Sequence, residues 1–190
     1  MVFTQRYKTE LVEALDTIDL DLVGRVIEIL SRARDEGRSI FICGNGGSAS
    51  TASHFATDLV KGASFGRPTR FRVMALTDSL STITAYSNDV SYDCIFTEQL
   101  KNFAAPGDVL IAISSSGNSP NVLRVVEYAN SIGCATIALT GRDGGQLGPL
   151  AQLNIQVSHP HTGRIEDLHV VVLHMIGYYF MEEEYRHQGS

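Results

Sequence analysis

Apolar positions occur along the chain in two arrangements, short uninterrupted runs and longer stretches with helical spacing, and these alternate. The short runs are typical of buried parallel strands, whereas apolar residues three and four positions apart are typical of helices. The predicted strands cover residues 40–43, 71–76, 108–113, 134–139 and 154–157. This alternation predicts an α/β fold, a three-layer sandwich with a five-stranded parallel sheet flanked by helices.

Helical spacing precedes the first strand twice, which adds N-terminal helices to the sandwich. The predicted helices cover residues 4–18, 21–36, 48–61, 77–89, 93–103, 120–132 and 164–184. The first helix has no strand of its own, so we expect it to pack against another subunit. The polar tail after the last helix is expected to fray.

Length and charge narrow the class of protein. The 190 residues fit one domain, with N-terminal helices in residues 1–37 and the α/β core in residues 38–186. A net charge of −6 argues against direct nucleic-acid binding and against capture by anionic membranes. No window has the length and apolar composition of a membrane span, and we expect a soluble cytoplasmic protein with reduced thiols at Cys43, Cys94 and Cys134.

The glycine-rich turn after the first strand is a candidate anion site. It contributes Asn45, Gly46, Gly47 and Ser48, with Ser48 expected as N-cap of the next helix. Glycines at a helix N-terminus let backbone N–H groups approach a phosphate. The same residues fit the dinucleotide fingerprint G-x-G-x-x-A, so nicotinamide binding is a minor alternative. A single turn of this kind is as often an ordinary connection between a strand and a helix.

A second, hydroxyl-rich turn follows the third strand and favours phosphate over dinucleotide. Its hydroxyl residues are Ser114, Ser115, Ser116 and Ser119. Ser119 is expected as N-cap, with Pro120 at the first helical position. Several hydroxyls beside a helix N-terminus suit a phosphate dianion in an acidic protein, whereas a dinucleotide leaves them without a role.

Two pairs of titratable residues occur at helical spacing. His54 and Asp58 are four residues apart, and Glu166 and His174 are eight apart on one stripe of the last helix. A core histidine at His174 and a dipole-stabilising acid at Glu166 are the ordinary alternatives. Together, the four side chains suit a Zn²⁺ site or an acid/base pair.

These motifs, in order, resemble the sugar isomerase (SIS) family, and within it the sedoheptulose-7-phosphate isomerases. The matching segments are GNGGSA with HFATDL, TAYSND, GDVLIAISSSGNSPNV, ALTGRDGG and RIEDLHVVVLH. The resemblance implies a homotetramer with active sites between subunits. It also implies interconversion of a ketose phosphate and an aldose phosphate through an enediol, often with zinc.

The resemblance also implies roles for individual residues. Asn45, Gly46, Gly47, Ser48 and the four turn serines would bind the phosphosugar, and Asp89 matches the acid of the family's Asn-Asp pair. His54, Asp58, Glu166 and His174 would hold one Zn²⁺ per subunit, with Asp58, Glu166 and His174 also catalytic.

Two positions depart from the family pattern. Asp58 replaces a glutamate and Glu166 replaces a glutamine, so four protein ligands could neutralise a divalent cation fully. We therefore expect tighter metal binding but a weaker Lewis acid. Related proteins that associate with a replication initiator share the fold but have lost such side chains, so a non-catalytic binding protein is the alternative to an enzyme.

Overall fold

The computed structural model describes residues 2–184 and, within that range, leaves out the side chain of residue 183. These residues form the five predicted strands, the seven predicted helices and one further short α-helix. The strands are β1 (Ser39–Gly44), β2 (Arg72–Ala75), β3 (Val109–Ser114), β4 (Ala135–Gly141) and β5 (Leu153–Val157). The helices are α1 (Phe3–Leu15), α2 (Leu20–Asp35), α3 (Gly47–Thr57), α4 (Leu80–Asp89), α5 (Ile95–Phe103), α6 (Pro120–Ser131), α7 (Leu147–Leu150) and α8 (Thr162–Tyr178).

The five strands form one parallel sheet in the order β2-β1-β3-β4-β5. The predicted three-layer fold is therefore confirmed. Gly44 at the end of β1 pairs with Ile113 of β3, so the glycine-rich turn and the serine turn leave the sheet side by side. This is the point at which the strand order reverses, where ligands bind in open α/β sheets.

Successive residues of β1 contribute to the two different faces of the sheet. Ile40 and Ile42 belong to a core formed with α2, α3 and α8, whereas Phe41 and Cys43 belong to a second core formed with α5 and α6. All four side chains are buried, as expected for a strand covered on both faces. Each such large apolar side chain contributes about 1.5–3 kcal/mol to folding.

Helix α1 packs against α8 of its own chain. The hydroxyl of Tyr7 donates a hydrogen bond to Asp167, and Arg164 forms an ion pair with Glu10 at 2.8 Å. The guanidinium of Arg164 also lies 3.8 Å from the centre of the Tyr7 ring. Because the leading helix has partners in its own subunit, its expected contact with another subunit remains a prediction.

Several local details differ from the sequence-based expectation. Ser48 is not an N-cap; Gly46 adopts a φ of 56° and occupies that position, so α3 starts at Gly47. The chain turns at Gly46 because glycine alone adopts this conformation readily. The short helix α7 was not expected. Ser119 is the N-cap of α6, as predicted, with Pro120 in the first turn.

The last predicted helix has two parts. Helix α8 is followed by a π-helical turn over Tyr179–Glu183. The polar tail expected to fray, and the predicted end of the core at residue 186, lie outside the described residues. Within residues 2–184, no helix combines the length and apolar composition that a membrane span requires. Cys43, Cys94 and Cys134 are free thiols, two of them buried.

Candidate active site

The carboxyl ends of β1 and β3 enclose a small polar cavity of about 200 Å³, here called the serine cavity. Most of its lining residues are neutral hydrogen-bonding groups, as a cradle for a phosphate requires. They are Asn45, Ser48, Ile113, Ser114, Ser115, Ser116, Ser119, Arg142, Thr162 and Glu166. The helices α3 and α6 start at this cavity, and their dipoles place partial positive charge there.

The serine hydroxyls are arranged around the turn after β3. The Ser114 hydroxyl lies 3.3 Å from that of Ser119 and 3.5 Å from that of Ser116. The Ser115 hydroxyl is buried and has no hydrogen-bond partner among the described residues. A buried hydroxyl without a partner is costly, and an anion in the cavity would supply the missing acceptor.

Gly117 holds the serine turn against the loop that follows β4. Its φ is +64°, and a Cβ atom there would lie 2.1 Å from the carbonyl oxygen of Gly144. Both the backbone conformation and the close approach exclude a side chain. The serine turn is therefore positioned by backbone contact with the neighbouring loop.

Asn45 is fixed by a network of side chains. Its amide oxygen accepts hydrogen bonds from Asn121 at 2.9 Å and from the Tyr92 hydroxyl at 2.8 Å, and its amide nitrogen donates to Asn121 at 2.8 Å. Asn121 is buried in the first turn of α6. The network ties the turn after β1 to the helix after β3, a contact that spacing alone does not reveal.

Arg142 is a site residue that the sequence reasoning missed. It lies in the exit loop of β4, and it is the one described non-glycine residue with a positive φ, 55°. This conformation costs about 1 kcal/mol for a residue with a Cβ atom. Gln156 donates a hydrogen bond of 2.7 Å to the Arg142 carbonyl, and the guanidinium donates one of 3.4 Å to Thr162 at the start of α8. A lone basic residue in a glycine-rich exit loop is the signal that could have found it.

Glu166 reaches the serine cavity from α8. A Cβ atom on Gly47 would lie 2.9 Å from Glu166 Oε1, so the carboxyl group lies directly against the start of α3. The glycine at this position makes that approach possible. Glu166 thus places a carboxylate beside the expected phosphate-binding groups.

His54, Asp58 and His174 form a second cluster, here called the metal triad. Their candidate ligand atoms all lie within 4.8 Å of one another. The two imidazole Nε2 atoms are 3.3 Å apart, and Asp58 Oδ2 lies 3.7 Å from that of His54 and 3.8 Å from that of His174. Helix α3 supplies His54, the π-helical turn Asp58–Gly62 that continues it supplies Asp58, and α8 supplies His174.

The triad fits a tetrahedral metal ion. Asp58 Oδ2 is buried and has no hydrogen-bond partner among residues 2–184, so a carboxylate oxygen lacks the partner that burial normally demands. Two ligands at zinc distances of 2.0–2.1 Å lie about 3.3 Å apart in a tetrahedral site. The three separations therefore approach those of zinc ligands with a fourth position open.

The other two predicted functional acids lie apart from the triad. Glu166 shares a stripe of α8 with His174, but eight residues of helix separate them by about 12 Å along the axis. Asp89 ends α4, accepts a hydrogen bond from Asn88 at 2.7 Å, and lines a different cavity with Tyr86. Three of the four predicted metal ligands are brought together, and Glu166 is not part of that group.

The fully buried histidine of α8 is His169, whereas the side chain of His174 is 40% exposed. His169 Nε2 lies 3.0 Å from the Thr140 carbonyl oxygen at the end of β4. Burial lowers the pKa of His169 to about 4. The buried core histidine of α8 is therefore His169, and the alternative interpretation of His174 as a core histidine is wrong.

Comparison with known proteins identifies the family. The SIS domain pattern matches residues 5–141. A probable phosphoheptose isomerase of Thermoplasma acidophilum is 39% identical over 172 residues, which are 90% of this chain and 94% of the relative. The chain belongs to the SIS domain family. The phosphoheptose isomerase of Aliarcobacter butzleri is 44% identical over 143 residues, 74% of each chain.

A solved structure of the same family extends the similarity to the fold. The phosphoheptose isomerase of Neisseria gonorrhoeae superposes with a TM-score of 0.85 at 32% identity, over 93% of this chain and 96% of that one. The SIS match ends at Gly141, so it includes α3 and the serine turn but not Arg142 or α8. Beyond the match, Glu166 and His174 lie against α3, and Arg142 contacts the start of α8.

Proposed function

We propose that this protein is a phosphosugar isomerase that interconverts a ketose phosphate and an aldose phosphate. Because its relatives are named phosphoheptose isomerases, the substrate we propose is sedoheptulose 7-phosphate, with D-glycero-D-manno-heptose 7-phosphate as the product. One observation carries the proposal: the buried, unpartnered Asp58 oxygen faces two histidines on the helices that also border the serine cavity. A module that only binds sugars has no need of this cluster.

In this proposal the serine cavity holds the phosphate. The hydroxyls of Ser114, Ser115, Ser116, Ser119 and Ser48 and the starts of α3 and α6 would bind its oxygens. Asn45, with Gly46 and Gly47, would border the sugar. Binding a remote, non-reacting phosphate positions the reactive carbons, and that binding energy lowers the barrier of the chemical step.

Proton transfer would be the task of a carboxylate and of His174 on α8. The candidate bases are Asp58, whose Oδ2 lies 3.8 Å from His174 Nε2, and Glu166, which lines the serine cavity. The base would remove the proton from the carbon next to the carbonyl and return it to the former carbonyl carbon, so that the reaction is a net isomerisation. His174 would move the proton between the two substrate oxygens.

The residues present fit one Zn²⁺ per subunit, held by His54, Asp58 and His174. When bound, such an ion acts as a Lewis acid that stabilises negative charge on an enediolate. Glu166 as a fourth ligand, and the tighter binding expected from it, remain predictions. Asp89 also remains a predicted catalytic residue, which a second subunit would have to bring to the site.

A homotetramer with active sites between subunits is part of the proposal. Exposed apolar side chains on α1, Phe3 and Val12, and on α8, Met175 and Tyr178, support contacts with other subunits. Light scattering on the purified protein measures the mass directly, and a monomer would refute this part. The cytoplasmic location remains a prediction.

The decisive experiment measures sedoheptulose 7-phosphate turnover by purified protein, with and without added Zn²⁺, together with binding of the same sugar phosphate. Turnover that rises with Zn²⁺ supports the proposal. Binding without turnover refutes isomerase activity and favours the binding-protein alternative, for which a pull-down with a replication initiator protein is the direct test.

A further inference from the structure

The serine cavity has an unusual charge balance for a phosphate site. Among the lining residues that the structure describes, Arg142 is the only cation and Glu166 the only anion. A sugar phosphate brings two negative charges, and Glu166 already places a carboxylate at the start of α3. Neutral hydroxyls alone would leave three negative charges close together, which the low dielectric of a cavity makes costly.

The guanidinium of Arg142 lines the cavity and can offset this negative charge, and most of its hydrogen-bond donors are unused by the described residues. A guanidinium carries five N–H donors, and among the described residues its one hydrogen bond is the 3.4 Å contact with Thr162. Within residues 2–184 no ion pair joins Arg142 to the neighbouring Asp143, whose carboxylate accepts from the backbone N–H of Gly145 at 3.1 Å. The cationic donors therefore remain available to an anion.

The backbone at Arg142 is held in place rather than relaxed. Its φ of 55° is unfavourable for a residue with a Cβ atom, and the Gln156 bond to its carbonyl keeps it there. Strained residues that the surroundings hold in one conformation cluster at binding sites. The conformation leaves Arg142 on the wall that the serine cavity shares with a second, more open cavity of about 700 Å³.

We propose that Arg142 is the phosphate-selecting residue of this site, the counter-cation that allows a phosphate dianion to bind beside Glu166. The inference rests on the proposed function, which it deepens by naming the source of phosphate selectivity. It makes Arg142 and Glu166 an energetically coupled pair, whose charges cancel before the substrate arrives.

Inorganic phosphate is the probe that separates this inference from turnover. Calorimetric titration would compare the wild type with Arg142→Gln, Arg142→Lys and the control Arg124→Gln, whose arginine is 53% exposed and paired with Asp93 on the protein surface. We expect Arg142→Gln to weaken phosphate binding about 30-fold, because charge-assisted hydrogen bonds to a dianion are lost. Arg142→Lys should lie between, and Arg124→Gln should match the wild type.

A double variant tests the coupling. Glu166→Gln should tighten phosphate binding, and Arg142→Gln/Glu166→Gln should recover most of the affinity, because the cavity charge returns to zero. With sedoheptulose 7-phosphate, Arg142→Gln should raise KM by a similar factor and leave kcat within about twofold. A merely structural role for Arg142 would give no recovery in the double variant.

The outcomes distinguish the two proposals. Equal phosphate affinity of Arg142→Gln and Arg124→Gln, or no recovery in the double variant, overturns the inference even if the wild type is an active isomerase. Phosphate binding that depends on Arg142 in a wild type without turnover supports the inference and refutes the isomerase. A wild type that binds no inorganic phosphate overturns the inference, whereas the isomerase proposal is decided by sedoheptulose 7-phosphate turnover.

Discussion

The Nε2 atoms of His54 and His174 lie 3.3 Å apart, although 120 residues of sequence separate them. Helices α3 and α8 bring them together on one face of the sheet, and Gly177 lies beside Asp58 at the same crossing, where an added Cβ would lie 3.6 Å from the Asp58 Cβ. Both imidazoles also lie close to the Asp58 carboxylate, with Nε2–Oδ2 distances of 3.7 Å and 3.8 Å. The triad is therefore a property of the tertiary fold and a direct subject for mutation.

His174→Gln should abolish turnover while leaving phosphate affinity within about twofold. Loss of a general acid/base costs about 10²- to 10⁴-fold in rate. Steady-state kinetics and phosphate titration check the two halves separately. His161→Gln, at an exposed position just before α8, is the matched control and should stay active. A fully active His174→Gln enzyme would refute the role.

Asp58→Asn should weaken Zn²⁺ binding by about 100-fold or more, because a charged ligand is replaced by a neutral one. Competition with a chromophoric zinc chelator measures the affinity without reference to activity. The control is Asp16→Asn, whose carboxylate is exposed at the end of α1. Equal zinc affinity in both variants would contradict the metal triad.

Gly117→Ala should destabilise the protein by about 3 kcal/mol and impair phosphate binding, since the new methyl group meets the Gly144 carbonyl. Gly37→Ala separates the two causes. Gly37 has a similar φ of +68° but nothing within 4 Å of an added Cβ, so only the conformational cost of about 1 kcal/mol remains. Urea unfolding measures both values, and equal losses would show that the close approach is unimportant.

The free energy of unfolding should decrease as the pH is lowered, because of His169. Its folded pKa is about 4, below the ordinary value of 6.5, so the unfolded chain takes up the proton first as the pH drops. The contribution is complete above about pH 6.5, is about 2 kcal/mol smaller at pH 5, and is lost as the pH reaches 4. Urea unfolding at pH 7.5 and pH 5.0 measures this difference.

His169→Gln is the variant that isolates the effect. A glutamine amide can still donate to the Thr140 carbonyl but does not titrate, so the variant should lose about 2 kcal/mol less than the wild type between the two pH values. An unchanged difference would assign the pH dependence to other groups.

The sequence predicts the sheet, its order of elements and both glycine- and serine-rich turns, because apolar runs and turn residues act locally. It places the N-cap at Ser48, since propensity favours serine, whereas a positive φ at Gly46 decides the start of α3. The network around Asn45 and Asn121 depends on which strands are neighbours. Spacing alone does not contain that information.

Sequence spacing is also insufficient to separate the roles of Glu166 and His174 on α8. A shared stripe correctly aligns Glu166 and His174, but it says nothing of the distance along the axis, and the structure assigns one to the serine cavity and the other to the metal triad. The sequence marks the loop of Arg142 only as a glycine-rich exit from a strand and does not single out the arginine. Its importance depends on a backbone conformation and on the helix that follows β5.

Helix α8 fixes the distance between two side chains of the candidate active site, Glu166 and His174. Two turns of regular helix separate Glu166 from His174 by about 12 Å, and a helix does not stretch or shorten as a loop does. In a site bordered by loops, a shorter substrate can be accommodated by closure. Under the proposed function, a phosphate in the serine cavity and the carbons beside the metal triad would be spaced along one rigid backbone segment, so discrimination by carbon-chain length would come from the scaffold itself.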